Sequence, residues 1–136
     1  MIYGIGTDIV RIARMEAALA RHGERFAHRI LAVGEWADFQ RAARPAALLA
    51  KRFAAKEAAA KAFGTGFSSG LGLRDIAVDH DSHGRPLLSF SAKAAELCRR
   101  RGIGRSLISL ADERDYAIAF VTLLLANDRQ AATDGA

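Results

Sequence analysis

The first apolar stretch, Ile2-Tyr3-Gly4-Ile5-Gly6-Thr7-Asp8-Ile9-Val10, alternates large and small side chains and is rich in β-branched residues, so it predicts a strand. Its two glycines indicate that another backbone comes close. From Ala13 onward alanine, leucine and arginine dominate, predicting helices over 13–22, 24–32 and 35–42, divided by Gly23 and Gly34. Pro45 fits the first turn of a further helix, where a missing N–H costs nothing. That helix runs to Phe63, since Leu48 to Ala62 contains only strong helix formers apart from Phe53, and Gly64 ends it.

Residues Gly64 to Gly72 hold four glycines in nine positions and predict a loop. Ile76-Ala77-Val78 and Leu87-Leu88-Ser89-Phe90 predict a hairpin turning through Asp81-Ser82-His83-Gly84. Ser91 suits the N-cap of a helix over 92–101, with Gly102 beyond its end. Two last strands, 106–111 and 116–125, flank Asp112-Glu113-Arg114-Asp115, and a polar tail covers 127–136. The order predicts one α+β domain over 1–126, with helices packed on one face of a mainly antiparallel sheet.

Composition narrows the function classes. The chain has 136 residues, 51% of them hydrophobic, which suffices for a core without disulfides or structural metals. A single cysteine, Cys98, cannot form an internal bridge, and no apolar run approaches the roughly 20 residues that span a bilayer. A reducing cytoplasm, with no membrane partner, is the expectation. The net charge of +5 is uneven: Arg11 to Arg52 holds nine basic and four acidic residues, whereas the remainder balances at 11 against 11. One third of the chain therefore attracts an anionic partner or simply keeps the molecule in solution.

Two carboxylates stand out. Asp8 interrupts an apolar strand, where it needs a cation, backbone donors or a metal, unless it lies at the strand end and caps the next element. Glu57 shares a helix side with Ala50, Phe53, Ala54 and Lys61, and the Glu57-Lys61 spacing fits a plain helix pair. Together Asp8 and Glu57 could hold one hard cation, since magnesium takes one or two protein carboxylates and completes its shell with water and phosphate oxygens. The glycine loop comes after a helix instead of preceding one, so it is not a standard phosphate loop. His80 and His83 lack further zinc ligands, Trp36 fits a helix anchor, and the aromatic residues form no stacking surface for nucleic acid. Arg99-Arg100-Arg101 could touch phosphates. The competing reading is a non-enzymatic basic module for RNA or an acidic protein, with Glu57-Lys61 as an ordinary surface pair.

Three blocks resemble the holo-acyl-carrier-protein synthase branch of the 4′-phosphopantetheinyl transferases. They are Gly4 to Val10, Arg52-Phe53-Ala54-Ala55-Lys56-Glu57-Ala58 with Lys61 to Gly66, and Ser109 to Asp112 leading into Tyr116 to Val121. Gly84-Arg85-Pro86 adds a weaker match, and order and spacing agree over residues 2–122. The resemblance implies transfer of the phosphopantetheine arm of coenzyme A to a serine of apo acyl carrier protein, in fatty acid biosynthesis and with 3′,5′-ADP released. It implies Asp8 and Glu57 as magnesium ligands and Lys61 as the active-site lysine. Glu57, directly or through water, would accept the serine proton, and Lys61 would assist the leaving group. Arg52 would lie near the coenzyme A phosphates and Gly64, Thr65 and Gly66 beside the nucleotide, while Arg14, Arg21 and Arg25 would meet the acidic carrier. A homotrimer with sites between subunits is implied, and nucleic acid is not a partner. In one departure, Ala111 and Asp112 stand where the family carries serine and histidine; Asp112 is expected to turn outward or meet an arginine.

Overall fold

In the computed structural model, which describes residues 1–127, the elements keep the predicted order. They are β1 (Ile2–Arg11), α1 (Ile12–His22), α2 (Glu24–Ile30), α3 (Trp36–Arg41), α4 (Pro45–Ala62), β2 (Ile76–His80), β3 (Pro86–Phe90), α5 (Ala92–Arg100), β4 (Ile103–Asp112) and β5 (Tyr116–Leu125). Strands β1, β5 and β4 form an antiparallel sheet in that order, and β2 and β3 form a separate antiparallel hairpin. The expected tail lies outside the described residues except for Asn127.

The central strand β5 presents Ala117, Ala119, Val121 and Leu123, all fully buried, to α4. On the neighbouring β1, Gly4, Gly6, Asp8 and Val10 share one face because side chains alternate along a strand. Helix α4 answers with buried Ala54, Ala55, Ala58, Ala59 and Ala62. Small residues on both sides let backbone meet backbone: a Cβ on Gly4 would lie 2.1 Å from the Ala62 carbonyl oxygen, and one on Gly6 1.9 Å from that of Ala58. The glycines of the first strand are thus there for close approach, as the sequence suggested. The other sheet face leaves Ile5, Ile9, Ile118 and Phe120 exposed at 58%, 60%, 43% and 45%.

Several boundaries differ from expectation for local reasons. Helix α2 ends at Ile30 instead of residue 32, because Leu31 is extended and Val33–Glu35 winds into a 3-10 turn just after it. The Glu35 carboxylate accepts from the Ala32 N–H at 2.9 Å and closes that turn. Strand β4 begins at Ile103, three residues before the predicted start, with a register shift between Ile103 and Arg105. The glycine loop contains 3-10 turns at Gly66–Ser69 and Leu73–Asp75 that composition did not signal. Ser91 caps α5 as expected, accepting from the Ala94 N–H at 3.1 Å, and it also donates to Asp75 at 2.7 Å.

Gly6→Ala tests the backbone contact. A methyl group there must push α4 off the strand, so stability measured by urea unfolding should fall by about 3 kcal/mol, at the upper end of overpacking costs.

Candidate active site

The seam between β1 and α4 gathers three of the predicted residues. Asp8 is the next residue after Gly6 on the α4-facing side of β1, and Glu57 and Lys61 lie on α4 around the contacting turn at Ala58 and Ala62. The Lys61 ammonium donates to Asp8 Oδ1 at 3.1 Å and to the Thr7 carbonyl at 3.0 Å. Lys61 therefore reaches across to the strand, where the sequence had suggested pairing with Glu57 along the helix. Asp8 does not cap a helix, since the strand continues three residues past it and pairs Asp8 with Ala119. Its side chain is 18% exposed and that of Lys61 53%, so the pair sits at the mouth of the seam.

Glu57 is half-buried, and its carboxyl is pushed up from the ordinary value, first by burial and then by the negative charge of Asp8. Lys61 and Arg14 pull in the opposite direction. Two acids within electrostatic reach of each other raise the proton affinity of one of them, an arrangement that suits a shared cation or a proton acceptor. Among the described residues no group of three or more His, Cys, Asp and Glu side chains could hold a metal. A tetrahedral zinc centre is thus a poor match, whereas two carboxylates fit the hard-cation pattern.

Of the basic residues of the first helices, Arg14 lies within electrostatic reach of Glu57. Arg14 and Arg21 are exposed on α1 and border a shallow depression of about 550 Å³ with Ala17, Ala18, Ala20 and His22. The Arg14 guanidinium lies 5.7 Å from the centre of the Phe53 ring, one helical turn before Glu57. Arg25 is exposed on α2. Gly64, Thr65 and Gly66 come directly after α4, with Gly64 at φ +89° and Gly66 at φ +56° carrying the chain through left-handed conformations.

Arg52, expected near the coenzyme A phosphates, is held in a network of acids. It is only 4% exposed, and its guanidinium donates to Glu35 at 3.2 Å, to the Val78 carbonyl at 3.3 Å and to Asp38 at 3.1 Å. The guanidinium is thus engaged by acids within the chain, and Arg52 also borders the small cleft that Lys51 and Asp112 line. The same network holds two residues the sequence reading passed over. Lys56, fully buried one turn after Arg52, donates to Glu35 at 2.6 Å, to the Leu73 carbonyl at 3.0 Å and to the Ile76 carbonyl. Glu35, 1% exposed, also accepts from the Val78 N–H at 3.1 Å. A lysine set among alanines, four residues after an arginine, was the available signal.

Asp112 ends β4, is exposed and lies 3.7 Å from Lys51 of α4; of the two expectations it takes the outward one, with a lysine and not an arginine as its neighbour. The pair lines a small cleft of about 210 Å³ together with Leu48, Arg52, His80, Gly84, Pro86 and Leu110. His80 and His83 are exposed, and Trp36 stacks on His28 with ring centres 3.7 Å apart, consistent with an anchoring role.

Comparison with known proteins places this geometry in a family. The model of the 4′-phosphopantetheinyl transferase superfamily matches residues 4–121. This chain belongs to that superfamily. It is 57% identical over 124 residues to the holo-[acyl-carrier-protein] synthase of Halorhodospira halophila, covering 91% of this chain and 98% of that protein. The corresponding synthase of Nitrosococcus oceani is 56% identical over 135 residues, covering 99% and 86%. Among solved structures, the Neisseria meningitidis holo-[acyl-carrier-protein] synthase superposes with a TM-score of 0.87 at 43% identity, over 91% of this chain and 99% of that one. The Helicobacter pylori synthase, solved in complex with coenzyme A, gives 0.78 at 30% identity, over 88% and 99%. The resemblance read from the three sequence blocks therefore holds.

The buried network makes two predictions. Glu35→Gln leaves Lys56 without its counter-charge inside the protein and should lower stability by about 3 kcal/mol in chemical unfolding. Asp38 has its carboxyl held below the usual value, chiefly by the Arg52 hydrogen bond. Its stabilising share is present above the ordinary carboxylate value near 3.8 and is lost as pH falls through the lower folded value. Asp38→Asn should thus reduce stability at neutral pH and flatten the acid limb of a stability-against-pH curve.

Proposed function

We propose that this chain transfers the 4′-phosphopantetheine arm of coenzyme A to a serine hydroxyl of an acyl carrier protein. The observation that carries this reading is the meeting of Asp8, Glu57 and Lys61 at the β1–α4 seam, beside the basic face of α1. In the transfer, the serine oxygen forms a bond to the phosphorus bearing the pantetheine arm, and the bond from that phosphorus to the bridging oxygen breaks, releasing 3′,5′-ADP. Such a reaction asks the protein mainly for alignment and charge compensation.

Each residue has a physical task. Glu57, made more basic by burial and by Asp8, accepts the serine proton, directly or through a water molecule. Lys61 is steered by Asp8 and the Thr7 carbonyl and offers its charge to the departing phosphate oxygen. Asp8 and Glu57 would hold magnesium, which when bound supplies compensation for the pyrophosphate charge. Gly64, Thr65 and Gly66 bring backbone without bulky side chains beside the nucleotide. Arg14, Arg21 and Arg25 attract the acidic carrier and deliver its serine next to Glu57. In the cleft between Lys51 and Asp112, the lysine offsets the acid that replaces the family's histidine.

The bare apolar face of the main sheet supports self-association. Ile5, Ile9, Ile118 and Phe120 are contiguous through the β1–β5 register, in which Ile9 faces Ile118. A patch of this kind marks an interaction surface. A homotrimer built on this face, with sites shared between neighbouring subunits and working in the cytoplasm, fits the proposal.

Incubation with coenzyme A, magnesium and apo carrier should add one phosphopantetheine unit to the carrier, read by intact mass spectrometry. A chelator should abolish the gain, and Asp8→Ala or Glu57→Ala should slow it by about a hundredfold or more. Absence of any gain with a proven carrier would refute the assignment. Arg14→Glu should raise the Michaelis constant for carrier by about tenfold and leave that for coenzyme A nearly unchanged. Light scattering should report three times the 14.6 kDa chain mass, and Phe120→Glu should lower it.

A further inference from the structure

Arg101, the last of the Arg99-Arg100-Arg101 triplet that could touch phosphates, stands immediately after α5 and turns inward. Arg99 pairs with Glu96 on the surface at 2.6 Å. Arg101 instead sends Nη1 to the Phe63 carbonyl at 2.7 Å and to the Tyr3 hydroxyl at 3.3 Å. The Tyr3 hydroxyl donates to the same carbonyl at 3.4 Å. One peptide oxygen at the end of α4 is therefore gripped from β1 and from the end of α5.

That oxygen is one of the carbonyls a helix leaves unpaired at its C-terminus, and a cation is favoured there by the helix dipole. The ring of Phe63 is 1% exposed and packs edge-on against Phe90 with centres 6.0 Å apart. Phe63 is thus fixed at both side chain and carbonyl. Of the next three residues, Gly64 and Gly66 adopt positive φ, Gly64 and Thr65 are exposed, and nothing lies within 4 Å of a Cβ built on either glycine; Gly64 donates back to the Lys61 carbonyl at 2.9 Å, and the Thr65 carbonyl accepts from the Ser68 N–H at 3.2 Å. The direction in which the loop leaves the helix is set at the Phe63 peptide.

We infer that Arg101 is a positioning residue, which fixes the Phe63 peptide so that Lys61, two residues before it, and the Gly64–Gly66 loop, directly after it, face one polyphosphate ligand together. Tyr3 completes the device from β1, the strand that also carries Asp8. The inference rests on the coenzyme A reading of that loop given above, and it adds a residue outside the motifs that led there.

The test compares wild type, Arg101→Ala, Arg101→Lys and Tyr3→Phe in the full chain. Arg101→Ala should raise the Michaelis constant for coenzyme A by about tenfold, the scale of one lost charged hydrogen bond, with the constant for carrier nearly unchanged. Arg101→Lys, which keeps a cationic donor, should recover most of the loss, and Tyr3→Phe should fall between. Amide exchange should quicken at Phe63 and Gly64 in Arg101→Ala while β1 and β5 keep their protection. Equal rises in both Michaelis constants with faster exchange throughout would show a general prop for the fold and overturn the inference, as would no change in either readout. If wild type transfers nothing to carrier, the transferase reading fails separately. Amide exchange and calorimetric binding of 3′,5′-ADP then still decide whether Arg101 positions the loop.

Discussion

A helix can approach a strand only as far as the side chains between them permit, and at Gly4 and Gly6 there are none. The carbonyls of Ala58 and Ala62 occupy the space where those residues would carry a Cβ. This contact fixes the distance from the strand to Glu57 and Lys61, because both project from the same turns of α4. Asp8 comes next on the same face of β1, so a spacing of two residues along the strand and four along the helix converges on one point.

The far side of α4 is secured by a different force. Lys56 and Arg52 turn towards Glu35, and the three charges bind the helix to the turn before α3 and to the first strand of the hairpin. Burial pushes the Lys56 ammonium below the usual lysine value, against the opposing pull of Glu35. Ions so enclosed are costly to desolvate, but the carbonyls of Leu73, Ile76 and Val78 and the Asp38 carboxylate accept further hydrogen bonds from Lys56 and Arg52. The network adds orientation more surely than stability. Apolar packing faces β1 and β5, ionic pairing faces β2, and between them the helix has one seat.

Local pattern made most of the elements legible. Strand β1, the glycine stops, Pro45 at the start of α4, the Ser91 cap and the β5 alternation all arise from residue types over short spans. Asp8 and Glu57 were visible as anomalies that together suited one hard cation, and the resemblance in three blocks added their roles; periodicity alone left each with an ordinary structural explanation. What could not be read was any choice between distant partners. Lys61 has Glu57 within one turn yet bonds to Asp8, 53 residues away in the chain. Arg52 is tied to Glu35 and Asp38, 17 and 14 residues away, and Lys51 meets Asp112 through the packing of α4 on the end of β4. Those outcomes depend on tertiary geometry, which spacing along a single element does not encode.

The alanine content of α4 has a consequence for how this domain tolerates change. Alanine has no rotamers to lose, so a helix that buries Ala54, Ala55, Ala58, Ala59 and Ala62 is ordered at almost no side-chain entropy cost. The same economy leaves no slack: larger residues have no alternative rotamer that escapes the neighbouring backbone, and smaller ones add only chain freedom to the unfolded state. The centre of the molecule is therefore a nearly incompressible spacer.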